Sequence, residues 1–70
     1  MLNKTSAYIG RKLHTARQSK GFTQAEVAKR ASTTVNHYAK IERGEVVPSL
    51  RTLEKIAKAL SVNSSDVLPF

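Results

Sequence analysis

The sequence predicts an all-α fold, and three observations carry that prediction. No stretch alternates apolar and polar residues at period two. Apolar residues instead recur at spacings of three and four in separate segments, the period of one helix face. Each segment also begins or ends on a residue suited to capping a helix, so the chain is divided into short helices with turns between them.

The first helix is predicted over about Ser6 to Ser19. Ile9, Leu13 and Ala16 form its stripe, and Gly21 with Phe22 behind it provides a stop. Gly10 inside this helix costs about 1 kcal/mol relative to alanine, so packing must hold the segment. Thr23 stands three residues before Glu26, the capping-box spacing, and opens a second helix from Gln24 to about Ala31 with Val27, Ala28 and Ala31 inward. Ser32-Thr33-Thr34 breaks it, because hydroxyl side chains compete for backbone hydrogen bonds. Thr34 then caps a third helix, Val35 to Arg43, closed by Gly44 and turning Tyr38, Ile41 and Glu42 inward. After the loop Glu45-Val46-Val47-Pro48, Ser49 caps a fourth helix from Leu50 to Leu60. Its face of Leu50, Leu53, Ile56, Ala57 and Leu60 is the widest apolar surface in the chain. Asn63 and Asp66 open a short fifth helix carrying Val67 and Leu68, which Pro69 ends. The expectation is one compact five-helix domain spanning residues 1–70.

Composition narrows what such a domain does. At 70 residues the chain buries only about 60% of its unfolded surface, which leaves little room for an enclosed active site beside a core. The five carboxylates are scattered among cations rather than gathered as an acid and a base, so no enzyme and no small-molecule substrate is expected. With no cysteine, and with His14 and His37 lying 23 positions apart, neither a metal site nor a cofactor is expected. No apolar run exceeds three residues, and pairs such as Val46-Val47 are typical, far short of the roughly 20 residues that span a bilayer, so the chain reads as soluble, cytoplasmic and without a membrane partner. Its net charge is +7, and the excess is one-sided. Nine Lys and Arg face two Glu up to residue 44, whereas beyond it three cations face three carboxylates. A field of one sign implies a polyanionic partner, either nucleic acid or an anionic membrane surface. A membrane-surface peptide would need one long amphipathic helix, and this chain breaks every 10 to 14 residues.

Two helices of about eight residues joined by a short polar turn make a helix-turn-helix, here residues 24–43. The run Thr23 to Ala31, the break at Ser32-Thr33, then Thr34 to Tyr38 and Ile41-Glu42-Arg43-Gly44 closely resembles the lambda-type repressor and Cro family, also called Xre. The resemblance continues through Pro48-Ser49-Leu50, Leu53 and Ile56 to Val62, and covers residues 9–68. Each motif is weak alone, and their order makes them specific. Three positions depart from the family pattern: Ser32 stands where a left-handed glycine is usual, Thr33 where an aliphatic residue is usual, and Tyr38 where isoleucine is usual. Ser32 is therefore expected to carry about 1 kcal/mol of backbone strain. The Tyr38 hydroxyl needs a partner or solvent.

The resemblance implies a sequence-specific transcriptional regulator of double-stranded DNA, associated with the bacterial or phage nucleoid. An α-helix fits the major groove and meets base edges with its N-terminal residues. Thr34, Val35 and Asn36, with Lys40 one turn below, form the outward set at that end. Asn36 can bond adenine, Lys40 can bond guanine, and the methyls of Thr34 or Val35 can pack on thymine. The competing account is a solvated helix face. Thr23, Gln24, His37, Arg43, Arg11 and Lys20, with Lys4, are candidates for the phosphate backbone, where a merely solvated charge is the alternative. In the family, glutamine at the place of Gln24 contacts the backbone or braces the recognition helix. Arg17 and Glu42 match the family's inter-helix salt bridge. His14 reads as a surface residue. Such proteins pair across a palindrome, and Val46, Val47, Val67, Leu68 and Phe70 are more apolar residues than a small core absorbs, so they are the expected homodimer surface. An antitoxin of a toxin–antitoxin pair could use the same fold. It usually carries a further toxin-binding segment, whereas only Pro69 and Phe70 follow the last expected helix here.

Overall fold

The computed structural model describes residues 4–68. Four α-helices follow one another as α1 (Lys4–Lys20), α2 (Gln24–Arg30), α3 (Val35–Glu42) and α4 (Leu50–Leu60), and a single 3-10 turn (Ser64–Asp66) follows α4. Among the described residues there is no strand. The start signals read from the sequence act as caps. Thr23 Oγ1 accepts from the Glu26 amide at 3.1 Å while Glu26 Oε1 accepts from the Thr23 amide at 2.8 Å. Thr34 Oγ1 accepts from the His37 amide at 3.0 Å, and Ser49 Oγ accepts from the Thr52 amide at 3.1 Å.

All four helices close in the same way. An amide two or three residues past the end turns back to a carbonyl five residues earlier: Phe22 to Arg17, Thr33 to Ala28, Glu45 to Lys40 and Val62 to Ala57. That closure needs a left-handed residue just past the helix. Gly21 and Gly44 supply it at two ends, and Ser32 (φ +57°) and Ser61 (φ +59°) at the others. The strain expected at Ser32 thus has a twin at Ser61.

The core is built from Ile9 and Leu13 of α1, Val27 and Ala28 of α2, Tyr38 and Ile41 of α3, and Leu53, Ile56 and Leu60 of α4, with Ala31 and Val67 completing it. Three expectations need correcting. The fifth helix is only one turn. The Asn63 amide does donate to Asp66 Oδ2 at 3.1 Å, but a helix nucleus is costly and Pro69 disfavours helical backbone at Leu68, so nothing propagates. Val67 is 1% exposed and belongs to the core rather than to a pairing surface. Leu50, by contrast, is 73% exposed. Spacings of three fall short of a full turn, so Leu50 drifts off the stripe of Leu53, Ile56 and Ala57. As the first residue of α4 it also overhangs the packed layer. Val46 and Leu68 lie half-buried against the core, Val47 is 56% exposed, and Phe70 lies outside the described residues.

Gly10 has a use that its helix position alone does not reveal. A Cβ there would sit 2.4 Å from the Glu42 carbonyl oxygen and 2.6 Å from that of Ile41. The end of α3 is therefore seated directly on the α1 backbone, and that seat fixes the angle at which α3 projects.

Candidate nucleic-acid interface

On α3 the two faces are sharply different. Tyr38, Ala39, Ile41 and Glu42 are buried. On the other side Thr34, Asn36 and His37 are exposed, Val35 is 47% exposed, and Lys40 is half-buried one turn below Asn36. Val35 is a large apolar residue left exposed, and Asn36 beside it offers both a donor and an acceptor.

What aims this face is a cluster around Glu42, whose side chain is 3% exposed. Arg17 Nε donates to Glu42 Oε2 at 2.7 Å, and Arg17 Nη2 donates to Oε1 at 3.2 Å. The third arm of the same guanidinium, Nη1, donates to the Phe22 carbonyl at 2.9 Å, so one side chain ties α1 to both the turn before α2 and the end of α3. Gln24 Nε2 donates to Glu42 Oε1 at 3.1 Å. His14 Nδ1 is 2.9 Å from the same oxygen. The same nitrogen is 3.2 Å from Arg17 Nη2, so His14 sits between the two charged groups. Burial favours the neutral acid, but Arg17, then Tyr38, His14 and Gln24 outweigh it and hold the Glu42 carboxyl down to about 2. Burial first, with Glu42 next, pushes the Tyr38 phenol up. Its hydroxyl lies within electrostatic reach of Glu42 and Arg17, yet it is buried without a hydrogen bond of acceptable geometry, so neither of the outlets expected for it is used.

The structure therefore gathers Gln24, Arg17 and Glu42 at one point behind the start of α2 and the end of α3. Gln24 stands half-buried beside exposed Thr23 at the capped N-terminus of α2. Arg43 is exposed at the end of α3, where its guanidinium is held by Glu45. Lys20 is exposed at the end of α1. Arg11 is turned elsewhere, toward a groove that it lines with Val62, Asp66 and Val67. His14 is not the simple surface residue expected from its place beside Leu13. The signal that could have found it is its position one turn before Arg17 and one turn after Gly10, on the side of α1 that meets α3. Among the described residues, no group of three or more His, Cys, Asp and Glu is placed to hold a metal ion, and no helix is long and apolar enough to cross a membrane.

A short capped α2, a tight turn and an α3 with one buried and one polar, partly apolar outer face define a DNA-binding helix-turn-helix module. A family model described as Helix-turn-helix matches residues 13–67, and the chain belongs to that family, of the Xre/Cro-C1 type. The chain is 33% identical over 60 residues to the immunity repressor protein of Bacillus phage phi105, covering 86% of this chain and 42% of the repressor. It is 32% identical over 60 residues to the uncharacterized HTH-type transcriptional regulator YazB of Bacillus subtilis (strain 168), covering 86% and 87% of the two chains. Among solved structures, the restriction-modification controller protein C.AhdI from Aeromonas hydrophila superposes with a TM-score of 0.87 at 25% identity, over 90% of this chain and 96% of that one. The clp gene regulator ClgR from Corynebacterium glutamicum gives 0.86 at 27% identity, over 89% and 66%. The chain thus spans under half of the phage repressor's length. The family is a helix-turn-helix family, and the relatives named are a repressor, a transcriptional regulator, a controller protein and a gene regulator.

Proposed function

We propose that the chain is a sequence-specific repressor or controller of transcription that binds a palindromic operator as a homodimer, with α3 in the major groove of each half-site. The observation that carries this reading is the outer face of α3, where exposed Val35 and Asn36 stand at the N-terminal end of a helix whose opposite face is anchored in the core. In this arrangement Thr34, Val35, Asn36 and Lys40 meet base edges, and Thr23, Gln24, His37 and Arg43 meet phosphates beside them. Arg11 and Lys20 add long-range attraction. One helix reads only a few base pairs, so a second copy is needed for discrimination against a genome of competing sites. Exposed Val47 and Leu50, with half-buried Val46 and Leu68, give an apolar surface for that pairing.

The test is a titration of duplex DNA over a range of salt concentrations. If a dimer neutralises about eight phosphates, log K falls against log salt with a slope near −7. Asn36→Ala and Lys40→Ala each cost about 1–3 kcal/mol and relax preference at one base pair, whereas Arg43→Ala weakens all sequences alike. A slope shallower than about −2 overturns the DNA-binding reading. Equal losses on operator and random duplex for Asn36→Ala would show that α3 is not the reading element.

A further inference from the structure

The charge count along the sequence puts all the excess before residue 45, yet folding assembles a second basic surface from both parts of the chain. Arg30, Ala31 and Ser32 at the end of α2 meet Lys55, Lys58, Ala59 and Ser61 of α4 around a concavity of about 340 Å³. No carboxylate lines it. Four of the five in the sequence are engaged elsewhere: Glu26 on the Thr23 amide, Glu42 on Arg17, Glu45 on Arg43 and Asp66 on the Asn63 amide. The fifth, Glu54, is exposed on α4 one turn before Lys58 and enters no salt bridge among the described residues. Arg30 feels Glu26 one turn away and stacks 4.5 Å from the Phe22 ring, but neither it nor Lys55 nor Lys58 enters a salt bridge among the described residues. A last-turn position answers the helix dipole and accounts for Arg30 and Lys58 taken singly. It does not account for Lys55 standing with them.

Two further observations point the same way. The only non-glycine residues with positive φ among those described, Ser32 and Ser61, which close α2 and α4, both line this concavity and add polar side chains to its lining residues. Ala31 and Ala59, one buried and one half-buried against the core, give it an apolar floor. A phosphodiester chain has no use for that floor, and no residue of α3 or of the capped start of α2 contributes to the site. Cations around a small apolar floor instead suit a peptide that carries carboxylates and short aliphatic side chains.

We propose that this concavity docks an acidic segment of a protein partner. Asp or Glu carboxylates of that segment meet Arg30, Lys55 and Lys58, and a small apolar side chain rests on Ala31 and Ala59. Such a contact leaves the outer face of α3 free, so a DNA-bound regulator could engage a second protein, and the inference holds whether or not α3 reads DNA as proposed above.

Amide chemical shifts of the 15N-labelled chain decide it, titrated separately with a short peptide alternating Asp, Glu and Ala, with inorganic phosphate at matched ionic strength, and with a mixed-sequence duplex. The expected result is saturable shifts at Arg30 to Ser32 and Lys55 to Ser61 with the peptide alone. Lys55→Glu with Lys58→Glu then weakens peptide binding about tenfold or more and lowers duplex affinity by a much smaller factor, through net charge alone. The milder pair Lys55→Gln and Lys58→Gln, each variant checked for folding by circular dichroism, must move in the same direction. Peptide shifts spread over Lys4, Arg11 and Lys20 would overturn the proposal, as would the same shifts with phosphate. So would loss of duplex binding in folded charge variants, which would make the groove part of the DNA surface.

Discussion

At Ser32 the backbone adopts φ +57°, a conformation that costs a residue with a Cβ about 1 kcal/mol relative to glycine. Ser32→Gly should therefore raise stability by about that amount in a urea titration, even though the variant gains no contact. Gly10 is the reverse case. Alanine there would improve helix propensity, but its Cβ would lie 2.4 Å from the Glu42 carbonyl oxygen. Gly10→Ala should destabilise by about 1–3 kcal/mol, the range for forcing an atom into a packed site. It should also weaken DNA binding, because α3 must shift to make room. Equal or greater stability in Gly10→Ala would mean that the α1–α3 seat is looser than this. The glycine preference at Ser32 was legible in the sequence through the family resemblance, which implies a left-handed residue at that place. Gly10 was not, because what demands it is the backbone of a segment more than 30 positions away.

Between elements, the cluster of Arg17, His14, Gln24 and Glu42 sets how α1, α2 and α3 meet. Deleting one partner of a buried pair leaves the other charge unpaired. Glu42→Ala should lower the melting temperature markedly, at a cost of about 3–5 kcal/mol, and Arg17→Ala with Glu42→Ala together should recover part of it. Strict additivity in that cycle would show that the two side chains act separately. Acid exposes the same cluster. The Glu42 carboxyl is held at about 2 in the folded chain against an ordinary value of 4.5. A depressed carboxyl contributes stability that is present above the ordinary value and lost as pH falls from about 4.5 toward 2. The size is about 3 kcal/mol at most. Denaturation midpoints measured between pH 7 and pH 2 should therefore fall steeply in the wild type and much less in Glu42→Gln, which starts lower. The exposed carboxyls of Glu26, lowered by the Thr23 amide, and Glu45, lowered by Arg43, leave a small residual slope.

For the molecule as a whole, the proposed homodimer needs a surface for its second copy. Val67 is taken up by the core, so the apolar surface offered for the proposed pairing shifts toward the start of α4, where Val47 and Leu50 are, among the described residues, the large exposed apolar ones apart from Val35. Sedimentation over a concentration series should show a monomer–dimer equilibrium, and Val47→Asp with Leu50→Asp should give folded monomers. Two-fold pairing across a palindrome sets the two α3 helices about 34 Å apart, one turn of duplex. Operators with half-sites at that spacing should bind more tightly than those lengthened by half a turn. A wild type that stays monomeric both free and on a two-half-site duplex excludes the dimer.

The sequence by itself determined the four α-helices, their caps and the residues on the outer face of α3, because these depend on neighbours within one turn. Thr23 with Glu26, Thr34 and Ser49 mark starts through contacts three residues long, and the outer set of Thr34, Val35, Asn36 and Lys40 follows from helical period alone. Even the pairing of Arg17 with Glu42 was legible, though only through resemblance, since no local rule joins residues 25 positions apart. Tertiary structure decided what depends on which surfaces meet. Closure of the last segment over the core buried Val67, the drift of spacing by three left Leu50 outside, and packing of α1 on α3 drew His14 into the Glu42 cluster. The convergence of Arg30 with Lys55 and Lys58 was decided the same way, because electrostatic neighbours in space need not be neighbours along the chain.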